Sequence, residues 1–185
     1  MKSRPKQEPH FGPLLDATRK IIDGPAPRDE KLLEICKLLK SGVPHYDWVG
    51  FYLREPADAG KKGVRHLLCA GTLRAYRQKV PDPLFPVLVL GPFVGEPTEH
   101  VRIPFGRGIC GQAAERRETF VAQDVSKEAN YLACSAKAAS EIVVPILKDG
   151  EVAGELDIDS HRRSPFTGED REFLEEVCNR LARLF

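Results

Sequence analysis

The sequence lacks an excess of charge, a long apolar run and an apolar leader, and each absence removes a class of function. Its 28 Lys and Arg stand against 27 Asp and Glu, a formal net charge of +1 over 185 residues. Such a balance offers neither the basic field of a nucleic-acid binder nor an acidic interaction tail. The longest apolar stretches are Val80 to Leu90, broken by three prolines and an aspartate, and the short Ile142 to Leu147. Both fall far below the ~20 residues of a membrane-spanning helix. The N-terminal MKSRPKQEPHFGP has no apolar core of the kind a signal peptide carries, so the cytoplasm is the expected compartment and no membrane is an expected partner. In a reducing compartment the five cysteines are expected as thiols unless a pair does redox work. The histidines His10, His45, His66, His100 and His161 are scattered without ligand spacing, and no metal is expected.

What is present suits one globular domain of ordinary size. Residues 1–12 carry little that could be buried and are expected as a mobile arm before a single domain over 13–185. Leu14, Leu15, Thr18, Ile21 and Ile22 repeat at helical spacing, and Leu32, Leu33, Ile35, Cys36 and Leu39 do so again after the GPAPRDE break. From Asp47 the run DWVGFYL changes to strand-favouring residues. An irregular insert at about 54–86 follows, with one possible strand at Val64 to Cys69. VLVLGPF, His100 to Ile103, Thr119 to Ala122, Ile142 to Leu147 and Val152 to Ile158 read as further strands, the last two forming a hairpin about Lys148-Asp149-Gly150. Thr167 to Asp170 is close to a capping box and opens a helix with the stripe Phe173, Leu174, Val177, Cys178 and Leu181. Helices at both ends of a mainly antiparallel strand run predict an α+β domain with one sheet.

Gly106-Arg-Gly-Ile-Cys-Gly111 spells the G-x-G-x-x-G pattern, but a strand follows within ten residues of the short GQAAERRE helix. A dinucleotide fingerprint needs a βαβ unit, so the glycines are expected to serve a tight loop instead. Cys36 and Cys178 lie on apolar helix stripes and are expected in the core. Cys69 sits in the insert with no assigned role. Cys110, at a loop-to-helix junction where the helix terminus favours a thiolate, and Cys134, in NYLACSAKAASE, form the plausible redox pair. Glu141, Asp157 and Asp159 bracket the hairpin, and the two aspartates share one strand face. Acids held together or in apolar surroundings keep their protons to higher pH and can serve as donors near neutrality; a solvated strand end is the competing reading.

The runs DWVGFYL, LVLGPF, VRIPFGRGICG, LACSAKAASEIVVPI and GELDIDS, in this order over most of residues 46–160, resemble the GAF-fold free methionine-(R)-sulfoxide reductases. The resemblance implies a six-stranded antiparallel sheet with flanking helices, a homodimer, and reduction of free methionine sulfoxide with electrons from thioredoxin, without a bound cofactor. Residue by residue, it assigns Cys134 as the attacking thiol and Cys110 as a resolving one. It gives Trp48 and Tyr52 to the pocket for the substrate's methyl group. Glu141, Asp157 and Asp159 become the acids that hold the substrate and protonate its oxygen. The chain departs from the family pattern where His100 stands in place of the usual resolving cysteine, and again at the insert. A catalytically impaired GAF module that senses a small amino-acid-like ligand is the alternative.

Overall fold

The computed structural model describes residues 11–55, 86–132 and 137–185. Helix α1 (Phe11–Asp23) and helix α2 (Arg28–Gly42) lead into strand β1 (Trp48–Arg54). Strands β2 (Val87–Val94) and β3 (Arg102–Pro104), helix α3 (Gly108–Arg116), strand β4 (Phe120–Ala122), strands β5 (Ser140–Lys148) and β6 (Glu151–Ser160), and helix α4 (Gly168–Leu181) follow. The first helix begins at Phe11, whose ring stacks on Phe173 at 4.5 Å, so residues 11 and 12 belong to a packed helix and not to the expected arm. Most of the insert, including the strand expected at 64–69 and Cys69, lies outside the described residues.

The strands form one six-stranded sheet in the order β3-β2-β1-β6-β5-β4, every described pairing antiparallel. The β5–β6 hairpin turns at Asp149 and Gly150, both with positive φ, as the tight turn between twisted strands requires. Because side chains alternate along a strand, the sheet has two differing faces. One carries Val49, Phe51, Ile142, Val144, Ile146, Leu156 and Ile158 and packs under α1, α2 and α4 as the main core. Cys36 and Cys178 are buried there, and burial pushes both thiols far up in pKa, as fits inert core cysteines. The other face carries Trp48, Tyr52 and Val143 and is covered by α3, whose Ile109, Cys110, Ala113 and Ala114 are buried.

Asp170 joins the C-terminal helix to the approach of β1. Its Oδ2 accepts from Thr167 N at 2.8 Å while Thr167 Oγ1 accepts from Asp170 N at 3.2 Å, a reciprocal cap. Its Oδ1 accepts from Tyr46 OH and pairs with His45 Nε2, both at 2.9 Å. Burial acts to raise the carboxyl's pKa, but the hydrogen bonds from His45, Thr167 and Tyr46 together outweigh it and hold the group below its ordinary value. A depressed folded pKa stabilises the protein at pH above the unfolded value of ~3.9, and that stability is lost as pH falls through the folded pKa. Asp170→Asn should therefore lower stability at neutral pH by about 1–3 kcal/mol. Denaturant titration should show the difference from wild type shrinking toward pH 3.

Candidate active site

Strand register lays out the second face as rows running across the sheet. In one row Trp48 of β1 opposes Asp159 of β6, which opposes Glu141 of β5, which opposes Ala122 of β4. The next runs Gly50, Asp157, Val143 and Phe120, and the third Tyr52, Glu155 and Pro145. Directly opposed residues hold their Cβ atoms ~4.5–5.5 Å apart. An aromatic wall on β1 thus stands against acids on the two central strands. Glu141, Asp157 and Asp159 are fully buried, which excludes the solvated-strand-end alternative for these three, and Glu155 beside them is fully buried as well.

Cys110 comes down onto these acids from α3, its Sγ donating to Glu141 Oε1 at 3.7 Å. Ligand-type atoms of Cys110, Glu141 and Asp157 lie within 4.8 Å of one another. The thiol therefore faces carboxyl groups as well as the helix start that the sequence pointed to. The GICG helix has nine residues and runs on to the edge strand β4, which pairs antiparallel with β5, so the G-x-G-x-x-G spelling lies in no βαβ unit. Its loop is fastened by Asn130, whose Nδ2 donates to Gly106 O at 2.8 Å and whose Oδ1 accepts from Gly108 N at 3.2 Å.

Burial raises the pKa of Asp159 well above its ordinary value, and the charges of Asp157 and Asp47 add to the effect. Burial does the same for Glu155, helped by Asp157 and partly offset by the Cys110 thiol. Among the described residues, no hydrogen bond reaches either carboxyl oxygen of Asp159. In low dielectric an ionised carboxylate without partners is very costly, and keeping the proton relieves that cost.

Trp48 lies in a slot. Its ring stacks on Phe93 at 5.5 Å and its Nε1 donates to Glu96 O at 3.0 Å. A Cβ at Gly50 would fall 2.2 Å from the indole, and one at Gly95 would fall 2.1 Å from it. Glycine is needed at both places so that the ring can lie flat beside the acids. Gly50→Ala is expected to displace the indole and to lower stability by about 1–3 kcal/mol, as overpacking does. Since Trp48 is the chain's one tryptophan, its fluorescence would report the displacement directly. Tyr52 donates its OH to His100 O at 2.8 Å, so His100 enters the described site through its backbone.

Cys134 lies in 133–136, outside the described residues. On one side of that segment Leu132 packs in the α3-covered cluster beside Gly108, and on the other Lys137 pairs with Glu96, whose carbonyl receives the Trp48 N–H. The sequence reading missed Glu155, Phe93 and Asn130. Glu155 was within reach of the same period-two count that joined Asp157 to Asp159. Phe93 and Asn130 carried no local signal, because their contacts depend on strand pairing and loop closure.

The GAF domain family model matches residues 32–184. The chain belongs to the GAF-domain family. Across the GAF sheet the fold agrees with solved relatives. The structure of free methionine-R-sulfoxide reductase from Neisseria meningitidis with its substrate is similar over 100% of this chain and 93% of that one, with a TM-score of 0.77 and 29% identity. The free methionine-R-sulfoxide reductase of Saccharomyces cerevisiae is 44% identical over 140 residues, 75% of this chain and 63% of that protein. GAF domain-containing protein A of Dictyostelium discoideum is 29% identical over 179 residues, 97% of this chain and 94% of its own length. No helix among the described residues of this GAF protein is long and apolar enough to cross a membrane.

Proposed function

We propose that this GAF protein reduces free L-methionine-(R)-sulfoxide to methionine. The observation that carries the proposal is the buried row Trp48–Asp159–Glu141 with Cys110 donating to Glu141. It offers an apolar aromatic surface for a methyl group and carboxyls for an ammonium group or a proton, with a thiol beside them. The two reductase relatives point the same way.

In this proposal the Cys134 thiolate attacks the sulfoxide sulfur while a protonated acid among Glu141, Asp157 and Asp159 gives its proton to the oxygen. The oxygen ends on the cysteine: one thiol is oxidised by two electrons to a sulfenic acid, and the sulfoxide is reduced to a thioether. The Cys110 thiol then condenses with the sulfenic acid, forming the S–S bond and releasing water. An external dithiol such as thioredoxin reduces the disulfide by exchange. No metal or bound cofactor is needed. A homodimer and a cytoplasmic setting belong to the same proposal.

The test is consumption of free methionine-(R)-sulfoxide by the full chain with a thioredoxin system, using peptide-bound sulfoxide as control. Oxidation with substrate followed by peptide mapping should recover a Cys110–Cys134 disulfide. A Cys69–Cys134 link would move the resolving role to the insert. The second reading, a sensor for a small amino-acid-like ligand, is favoured by His100 at the place of the usual resolving cysteine and by the relative named only for its GAF domain. Saturable binding of methionine or its sulfoxide without turnover and without oxidation of Cys134 would select it.

A further inference from the structure

Glu155 has no role in the chemistry proposed above, yet it is the site's fourth buried acid. It lies two residues from Asp157 on the same face of β6, flanked across the strands by Tyr52 and Pro145. Among the described residues, neither of its oxygens has a hydrogen bond of ordinary geometry. A carboxyl in that position lacks the packing value of an apolar side chain, and the Cys110 thiol offsets its burial only in part. Its burial in a central strand calls for a use.

We propose that Glu155 is a positioning residue that shares a proton with Asp157, keeping a carboxylic acid present beside Cys110 at neutral pH. The proposal rests on the reductase reading for its catalytic consequence, but not for its physical content. Two acids at i and i+2 on one strand face cannot both ionise cheaply in a dry setting, so the pair holds one proton where a lone acid would release it. The titratable groups around Glu155 are Asp157 and Asp159 on β6, Glu141 on β5, Tyr52 on β1, Cys110 on α3, and Cys178 of α4 beneath the sheet. Among the described residues, none of these is a cation. Desolvation and the charge of Asp157 both favour the protonated form of Glu155, in keeping with the pair's holding a proton. The proton so held is the one that Asp157 or its neighbours deliver to the sulfoxide oxygen, and water restores it after each cycle.

Removing the negative neighbour stabilises ionised Asp157, so Glu155→Gln should move the alkaline limb of the pH profile of kcat/KM to lower pH by about one unit or more. At pH 7.5 this would appear as a loss of ~10-fold, with KM for the sulfoxide little changed. Glu155→Asp should restore most of the limb, which a purely structural role would not do. Infrared titration of the full chain supplies the readout free of activity. The carbonyl band of a protonated carboxyl should persist at pH 7 in wild type and fall by about one carboxyl in Glu155→Gln. Failure of wild type to reduce the sulfoxide would defeat the reductase reading alone, leaving the infrared band to decide the proton-sharing claim. An unmoved limb in an active Glu155→Gln enzyme, or an infrared band unchanged by the substitution, would overturn the proposal.

Discussion

Cys134→Ser is expected to abolish reduction of free methionine-(R)-sulfoxide, lowering turnover by ~10³-fold or more, while substrate binding survives. A serine hydroxyl at neutral pH is almost wholly protonated and no substitute for a thiolate, and loss of a covalent nucleophile removes the whole two-step route at once. Binding should persist because the groups proposed to hold the substrate lie elsewhere. Trp48 is fixed by Phe93, Gly50 and Gly95, Tyr52 by the His100 carbonyl, and the acids by strand register. Calorimetric titration of the variant with the sulfoxide, beside a coupled assay of methionine formation, checks both halves. Turnover comparable to wild type would place the nucleophile elsewhere, and Cys110 would then be the thiol to test.

Asp159→Asn should show an opposite division between activity and stability. Turnover is expected to fall by ~10²- to 10⁴-fold, the usual worth of a positioned proton donor. Stability at neutral pH is expected to stay level or rise. The reason is linkage. The folded pKa of Asp159 is raised, first by burial and then by Asp157 and Asp47, so the native state holds a proton that the unfolded chain has released. Between the unfolded value of ~3.9 and the raised folded value, each increase in pH therefore costs the native state stability. An asparagine does not titrate, so the melting-temperature difference in favour of the variant should widen as pH rises from the unfolded value toward the raised folded one. Cys178→Ala serves as the contrast: this buried thiol under β5 sits in the helix-covered core, and its truncation should cost about 1–3 kcal/mol with turnover intact. If Asp159→Asn instead lost stability and kept its rate, the carboxyl would be a structural group and the proposed chemistry would need another donor.

Much of the molecule is legible from local pattern because the responsible forces are local. Apolar spacing of 3.6 residues marks α1, α2 and α4, the Thr167–Asp170 cap marks the start of the last helix, and the Asp149–Gly150 turn marks the central hairpin. Period-two alternation also gives the shared face of Asp157 and Asp159, and extended by one step it gives Glu155. Other features have no local expression. Burial of the acids follows from β6 lying between β1 and β5 under the cover of α3. The same placement that makes a strand hydrophobic on one face would leave the other solvated without that helix.

The sequence by itself determined the α+β class, the helices α1, α2 and α4, the β5–β6 hairpin and the shared face of the aspartates, since each depends on residues a few positions apart. Tertiary structure alone decided that Glu141, which is 18 residues from Asp159 in the chain, stands directly across from it, and that Cys110 of a separate helix reaches Glu141. It also decided that Trp48 needs two glycines, one of them from the end of a neighbouring strand. These are long-range choices of strand order and cover. They fix the dielectric around each carboxyl, and with it whether a chain of ordinary acids and thiols holds its protons at neutral pH.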